Sequence, residues 1–272
     1  MRVRALATFV ICLALSCVSS KAQTAAAGPS APELFGKGMN ALVGSSATRS
    51  GADAIEYFHR SAEMGYGPAQ VVLGYLYETG RGTTADPRQA FDWYKKAAQQ
   101  DDPLAQWLAG RIIYAGLIPG RDVNEASGFL RSSADHGNPF GEYLLGQIKL
   151  ERQDYSNAAA WFRKAAEQGL SQAQEQFAKL LRDGRGVAAP DKFEAYVWML
   201  VSSNAGNHRV ASDLQALEAD LGTNQVEQAK ARAREMGGSV TRSVAAHGCM
   251  GWPGEFDVIP TPPPPDLQRF CR

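Results

Sequence analysis

The chain has 272 residues, with 28 basic and 28 acidic side chains, so its formal net charge at pH 7 is zero. A chain without a basic excess is not expected to bind nucleic acid, because phosphate recognition requires a basic face. Its length is sufficient to bury a sizeable core.

The first 22 residues have the pattern of a secretory signal peptide. Arg2 and Arg4 precede an apolar run over residues 5–18, and residues 20–22 (SKA) place small side chains at both positions that determine cleavage. We expect cleavage between Ala22 and Gln23, which leaves 25 basic and 28 acidic side chains and a net charge of −3. The apolar run is short for a bilayer span, so no stable membrane span is expected in the mature chain.

An alternative interpretation of the same segment is lipoprotein processing at Cys17, which would leave the protein anchored by acyl chains. The typical signal for this processing has leucine where Ala14 stands, which favours the soluble product. Either way we expect an exported protein, periplasmic or secreted. Residues 23–33 (QTAAAGPSAPE) are predicted to form a flexible linker of small residues.

A block of twelve residues recurs five times through residues 34–207. The copies are residues 54–65 (AIEYFHRSAEMG), 90–101 (AFDWYKKAAQQD), 126–137 (ASGFLRSSADHG), 158–169 (AAAWFRKAAEQG) and 195–206 (AYVWMLVSSNAG). Their starts are 36, 36, 32 and 37 residues apart. Recurrence at this period predicts a solenoid of helical repeats.

Each block has the apolar spacing of an α-helix. In the second copy Ala90, Trp93, Tyr94, Ala97 and Ala98 fall on one helical face. A single copy cannot bury this face alone, so the copies must stack. Trp93 and its counterpart Trp161 in the fourth copy are therefore expected to be buried between helices.

A second helical stretch precedes each of the last four blocks. These stretches are residues 68–77, 103–114, 139–150 and 171–181, and three of them begin with proline, which favours a helix start. Leu73-Gly74 and Leu145-Gly146 predict points where this helix crosses its partner closely. Residues 80–82 and 184–186, both Gly-Arg-Gly, predict helix ends. Each unit is thus predicted to be helix, loop, helix.

Residues 69–101 resemble the Sel-1-like repeat, a relative of the tetratricopeptide repeat, almost position by position. The resemblance extends over about residues 34–237 and departs from the pattern in the loop at 115–120 and the short turn at 151–154. It implies an all-α protein, a right-handed α-solenoid of about five repeats. The first unit is expected to have only a degenerate opening helix around residues 34–42.

Residues 208–237 are predicted to form a helical hairpin that caps the array. Residues 238–272 change character, with Trp252 and several prolines that favour extended geometry, and are expected to form an irregular tail. Cys249 and Cys271 are the two cysteines left after removal of the signal peptide, and we expect a disulfide between them in an oxidising compartment. The tail would act either as a lid on the partner site or as a seal on the end of the solenoid.

The sequence contains no recognisable catalytic or metal-binding pattern. His59, His136, His208 and His247 lie in different segments without metal-ligand spacing, and the Gly-x-Gly loops lack the strand and third glycine of a phosphate site. Some exported Sel-1-like proteins linked to β-lactam hydrolysis carry a cysteine pair in every repeat, whereas these repeats carry none. We expect no enzyme, no metal and no cofactor. The alternative is a cell-wall (peptidoglycan or β-lactam) hydrolase or a glycan-binding protein.

The resemblance to the tetratricopeptide repeat also indicates which residues line the concave face. They are Val71, Tyr75, Glu78, Trp107, Arg111, Tyr114, Tyr143, Gln147, Leu150, Glu175, Lys179 and Arg182. Tyrosine, tryptophan and arginine are enriched in protein-binding hot spots. We therefore expect a monomeric scaffold or adaptor that binds a protein partner through this face, for instance one involved in envelope signalling or cell-wall metabolism.

Overall fold

The structure, a computed structural model, describes residues 28–43 and 51–247, with side chains over 28–42 and 53–237. This part of the chain forms twelve α-helices and one short 3₁₀-helix, and it contains no β-strand. The predicted all-α class is confirmed. The signal peptide, its cleavage site, Cys17 and the tail residues beyond His247, including Cys249 and Cys271, lie outside the described residues.

The first ten helices form five units of two helices each. The first helices are α1 (Ala31–Val43), α3 (Gly67–Thr79), α5 (Pro103–Tyr114), α7 (Pro139–Glu151) and α9 (Ser171–Asp183). The second helices are α2 (Gly51–Glu63), α4 (Pro87–Ala98), α6 (Val123–Asp135), α8 (Tyr155–Glu167) and α10 (Lys192–Asn204). Each second helix packs on the first helix of its own unit and, up to α8, on the first helix of the next, which is the arrangement of a solenoid.

Side chains close the helix starts, and glycines close the helix ends that the sequence predicts. The N-cap carboxylates of Asp86 and Asp122 accept hydrogen bonds from backbone N–H groups of α4 and α6, and such a cap contributes about 1 kcal/mol. Gly80 and Gly184 end α3 and α9 with φ of 69° and 66°. This left-handed conformation suits glycine, which has no Cβ to clash.

Glycines also let the two helices of a unit cross closely. A Cβ on Gly74 would lie 2.6 Å from Cε1 of Tyr94 and 3.1 Å from the carbonyl oxygen of Ala90. A Cβ on Gly146 would lie 2.6 Å from the ring of Phe162. The close crossings predicted from the Leu-Gly pairs are confirmed.

Buried serines join the two helices of three units. Ser61 donates a hydrogen bond of 2.6 Å to the carbonyl oxygen of Ala31, the first residue of α1. Ser133 and Ser202 donate equivalent bonds of 2.7 and 2.8 Å to the first residues of α5 and α9. Each serine occupies a position where the other units have alanine, so the bond satisfies a polar group inside the apolar interface.

The C-terminal segment packs on the last unit. After the 3₁₀-helix His208–Val210 come α11 (Ala211–Asp220) and α12 (Thr223–His247), and both helices contact α10. Leu217 of α11 and Val226, Ala229 and Ala233 of α12 are buried in the same apolar cluster. Over residues 223–237 the opposite face of α12 is polar and exposed, which is the pattern of a capping helix.

One helix and two boundaries differ from those predicted. The first unit has a complete opening helix of 13 residues, and this helix begins at Ala31, inside the predicted linker. Helix α12 continues ten residues beyond position 237, into the stretch predicted to be an irregular tail. The glycine pair at 237–238 does not stop the helix, because a glycine inside a helix costs only about 1 kcal/mol and the following residues up to 247 include no proline.

Candidate partner-binding surface

Helices α3, α5, α7 and α9 carry the predicted partner-binding residues, and we call the partly exposed side of these four helices the first-helix surface. Helix α5 contacts α7 directly, in addition to the second helices beside it. The predicted partner-binding residues all belong to these four helices. Their burial divides them into two groups.

Four of the predicted contact residues are buried: Val71, Tyr75, Trp107 and Glu175 are at most 8% exposed. The Trp107 ring lies 5.0 Å from that of Phe140 in α7, so it fills the space between neighbouring first helices. These side chains support the surface from beneath, and the expectation that they contact a partner is corrected. The burial of Trp107 depends on the neighbouring unit, which the pattern of one helix does not contain.

The remaining predicted residues are partly exposed. They are Glu78, Arg111, Tyr114, Tyr143, Gln147, Leu150, Lys179 and Arg182. Their side chains follow the surface from α3 to α9, and most of them are held in place by hydrogen bonds or ion pairs with one another or with nearby residues.

A partly buried hydrogen-bonded group links the second and third units. Nη2 of Arg111 lies 2.6 and 2.5 Å from the two carboxylate oxygens of Glu78. Tyr94 of α4 donates its hydroxyl to the same carboxylate at 2.9 Å. Burial, with the nearby charge of Glu78, raises the pKa of Tyr94 well above its ordinary value. The tyrosine therefore stays protonated as a donor, and the orientation of Arg111 on the surface is fixed.

The next link joins the third and fourth units. The Tyr114 hydroxyl donates a hydrogen bond to the carboxylate of Glu151, at the end of α7. Burial and this hydrogen bond raise the pKa of Tyr114. On α7 itself Gln147 donates its amide to the hydroxyl of Tyr143 at 2.8 Å. Two tyrosines thus hold fixed, partly exposed positions near the middle of the surface.

A third polar group lies at the C-terminal end of the surface. Glu175 accepts hydrogen bonds from Lys179 at 2.5 Å and from Asn207 at 2.9 Å. Burial acts to raise the pKa of Glu175, but these hydrogen bonds hold it below its ordinary value. Arg182 pairs with Asp213 of α11 at 2.7 Å, which extends the surface onto the cap.

Several partners of the predicted residues were missed by sequence reasoning, namely Glu151, Asn207 and Asp213. Their hydrogen bonds bridge 37, 32 and 31 residues of sequence, close to one repeat period. A search for complementary side chains one period beyond each predicted residue could have found them. The charges on this surface are largely paired, so its chemistry is that of fixed hydrogen-bonding and aromatic groups.

The described residues contain no cluster of histidine, cysteine or acidic side chains that could hold a metal ion. His59 pairs with Glu63 on α2, and the His136 ring contacts the Ser132 carbonyl of α6. Over the same part of the chain, no helix is long and apolar enough to cross a membrane.

The repeat units match a known family. The sequence profile described as "Sel1 repeat" fits residues 38–66, 67–102, 103–138, 141–170 and 171–207, which together make up more than half of the chain. The chain belongs to the Sel1 repeat family. The five matched segments correspond to the five helix pairs from α1–α2 to α9–α10, so the predicted family and the number of Sel1 repeats are confirmed.

Two solved structures show the same fold. One is c5321, a protective antigen of uropathogenic Escherichia coli strains with an SLR fold, at 29% identity and a TM-score of 0.71; the match covers 80% of this chain and 48% of that one. The other is a Sel1 repeat protein from Oxalobacter formigenes, at 32% identity and a TM-score of 0.59, covering 68% of this chain and 55% of that one. The chain thus spans about half the length of these relatives. Among curated proteins none matches it.

Proposed function

We propose that this Sel1 repeat protein is a non-catalytic scaffold that binds a protein partner through the first-helix surface. The observation that carries the proposal is the chain of cross-unit pairs, Glu78 with Arg111, Tyr114 with Glu151, and Arg182 with Asp213. These pairs hold partly exposed arginine and tyrosine side chains in fixed positions over consecutive units. Pre-ordered side chains of these types lose little entropy on binding and are enriched in binding hot spots.

The partner is selected mainly by shape and hydrogen bonding. Acidic and basic side chains alternate and pair along the surface, so it offers no strong net charge to attract an oppositely charged polymer. Extended surfaces of helical-repeat arrays commonly bind other proteins. A protein with a complementary ridge of polar and aromatic groups fits this surface better than nucleic acid, whose recognition requires a basic face.

We place the partner outside the cytoplasm. This part of the proposal rests on the signal-peptide pattern of residues 1–22, which lie outside the described residues. An exported scaffold would meet partners such as a sensor ectodomain, an envelope enzyme or a host factor. A non-catalytic array can regulate such a partner by binding to and covering part of the partner's surface.

Site-specific photocrosslinking in intact cells tests the proposal. A photoreactive residue at Gln147 or Arg182, both partly exposed on the first-helix surface, should capture one defined protein. The matched control carries the same residue at Lys95, which is exposed on the second helix α4. Capture of the same protein from Lys95 alone, or of none from any position, would contradict the proposal. A parallel assay for peptidoglycan or β-lactam turnover should show no activity.

A further inference from the structure

One buried position on the first helices holds glutamine in three units and glutamate in the fourth. Gln70, Gln106 and Gln174 are buried at matching positions of α3, α5 and α9. Their side-chain amides donate to the carbonyl oxygens of the residues eight positions earlier, Ala62, Ala98 and Ala166, at 3.1, 3.5 and 3.2 Å. Those alanines lie in the last turn of the preceding second helix. The bond therefore ties each first helix to the unit before it.

Glu142 occupies this position in α7 and is 4% exposed. An ionised carboxylate has no hydrogen to donate, so it cannot make the equivalent bond to the carbonyl oxygen of Ala134, eight residues earlier. Its Oε2 accepts a hydrogen bond of 2.7 Å from the Gln168 amide. In the second unit Gln70 accepts the same bond from Gln100 at 2.8 Å. The fourth unit thus keeps the hydrogen bond that this position accepts. The hydrogen bond that this position donates requires a proton on Glu142.

The environment of Glu142 favours that proton. Burial raises the pKa of Glu142 to about 7; the hydrogen bond from Gln168 and the charge of Lys164 act to lower it, and Glu167 acts to raise it. Lys164, Glu167 and Gln168 lie at the end of α8. At the end of α6, Asp135 and His136 are exposed to solvent. Lys164 and Glu167 thus act in opposite directions, and burial, the largest of these effects, decides the direction of the shift.

We propose that Glu142 makes the junction between the third and fourth repeats a proton-controlled joint. Protonated Glu142 donates to the carbonyl oxygen of Ala134 and fastens α7 to the last turn of α6, as glutamine does in the other units. Ionised Glu142 loses this bond and places a charge inside the interface. The junction is therefore strong in acid and weaker in mild base.

The direction of the pH effect follows from the sign of the shift. A carboxyl whose pKa is higher in the folded chain than in the unfolded chain binds its proton more tightly when folded. Its stabilising contribution is complete below the unfolded value near 4.5 and is lost as the pH rises through about 7. Because each repeat contacts only its neighbours, the weakening is confined to this junction.

The joint lies beneath the middle of the first-helix surface. The Trp107 and Phe140 rings meet across the same junction, and so do Tyr114 and Glu151. A looser junction would change the relative positions of these groups and hence the presentation of the surface. The effect on partner binding rests on the proposed function, whereas the proton-controlled joint between the third and fourth repeats does not.

The test compares the wild type with Glu142→Gln, which installs the residue of the other three units. Thermal unfolding is measured from pH 5 to 8.5, together with hydrogen exchange of the α6 and α7 amides corrected for intrinsic rate. The two proteins should melt within about a degree of each other at pH 5, and the variant should melt roughly 4 °C or more higher at pH 8.5. Exchange in α7 should accelerate with pH in the wild type only. A difference in melting temperature that does not change with pH would overturn the proposal.

Gln70→Glu is the matched variant that should introduce the same pH dependence at a second junction. Its partner Gln100 corresponds to Gln168, and Lys96 corresponds to Lys164, so the new acid meets a similar environment. This variant should acquire a second pH-dependent loss of melting temperature, with faster exchange in α3 at pH 8.5. If Gln70→Glu is no more sensitive to pH than the wild type, the proposal fails. No partner is needed in either experiment, so these results are independent of the partner-binding proposal.

Discussion

The large aromatic position of the second helices shows how single residues connect neighbouring units. Trp93, Phe129 and Trp161 occupy this position in α4, α6 and α8. The Trp93 ring lies 5.4 Å from that of His59 in α2, and the Phe129 ring lies 5.8 Å from that of Phe91 in α4. These two rings thus pack on the second helix of the preceding unit, and the Trp161 ring lies 4.7 Å from the guanidinium of Arg131 in α6. This is a contact between repeats, in addition to the packing within each repeat.

Replacement of Trp93 or Trp161 by alanine should lower the free energy of unfolding by roughly 3–5 kcal/mol, as large-to-small changes in a core do. Both side chains are buried, at 7% and 8% exposure, as the sequence predicts. Denaturant unfolding followed by circular dichroism measures the loss. Trp93→Phe is the control, since Phe129 fills the same position, and it should lose much less. A loss below about 1 kcal/mol for both alanine variants would contradict this role for the aromatic position.

The sequence predicts burial correctly where burial depends on a residue's own helix. The spacing of Ala90, Trp93 and Tyr94 places them on one face, and all three are buried. The resemblance to the tetratricopeptide repeat fails for Val71 and Trp107, which it places on the concave face although both are buried. Trp107 is covered by the next first helix, and Val71 is buried in the apolar cluster that the second to fourth units share. The angle between units that brings these groups together is a property of the assembled array. The partners of the surface residues were missed for the same reason.

At the scale of the helix pair, glycines control how closely the two helices approach. In the third unit a Cβ on Gly110 would lie 2.6 Å from Cγ of Leu130 and 3.1 Å from the carbonyl oxygen of Ala126. The same unit contains Gly128, inside α6, where an added Cβ would meet nothing within 4 Å. Gly110 is thus required by close packing, whereas Gly128 only lowers the stability of its helix.

These two glycines give a matched pair of variants with opposite expected effects. Gly110→Ala should destabilise the protein by about 1–3 kcal/mol, because Leu130 and the α6 backbone must move to admit the methyl group. Gly128→Ala should stabilise it by up to about 1 kcal/mol, since alanine is the better helix former and space is free. Thermal unfolding of both variants measures the two shifts. If both variants shift the melting temperature by the same amount in the same direction, Gly110 is not required for the close crossing of α5 and α6.

Helix α12 shows a limit of sequence reasoning at the same scale. The glycine pair at 237–238 and the prolines further on suggested a change of structure at 238, and the repeat pattern had already ended. Helix α12 nevertheless runs to His247. Repetition made the earlier boundaries predictable, because each unit supplied an independent copy of the same signals. A segment that occurs once offers no such comparison.

At the scale of the whole molecule, both described ends of the array present polar faces. Glu33, Lys37 and Asn40 are exposed on one side of α1, whereas Leu34, Phe35 and Met39 are buried against the array. At the other end Gln225, Gln228, Arg232 and Glu235 form an exposed polar stripe on α12. Terminal helices with polar outer faces stop repeat proteins from stacking end to end.

The protein should therefore be monomeric, and opening one end should change that. Light scattering coupled to size exclusion should give the mass of a single chain for the wild type. Replacing Lys37 and Asn40 by leucine leaves the buried face of α1 intact but makes its outer face apolar, so a second array can add to that end. We expect this double variant to associate as its concentration rises, because the new patch and the surface it meets are different and the contact does not close on itself.

The control is Lys95→Leu, which replaces one exposed cation on the second helix α4 and should remain monomeric. Association of the wild type at micromolar concentration, or a monomeric double variant, would show that the polar face of α1 is not what ends the array.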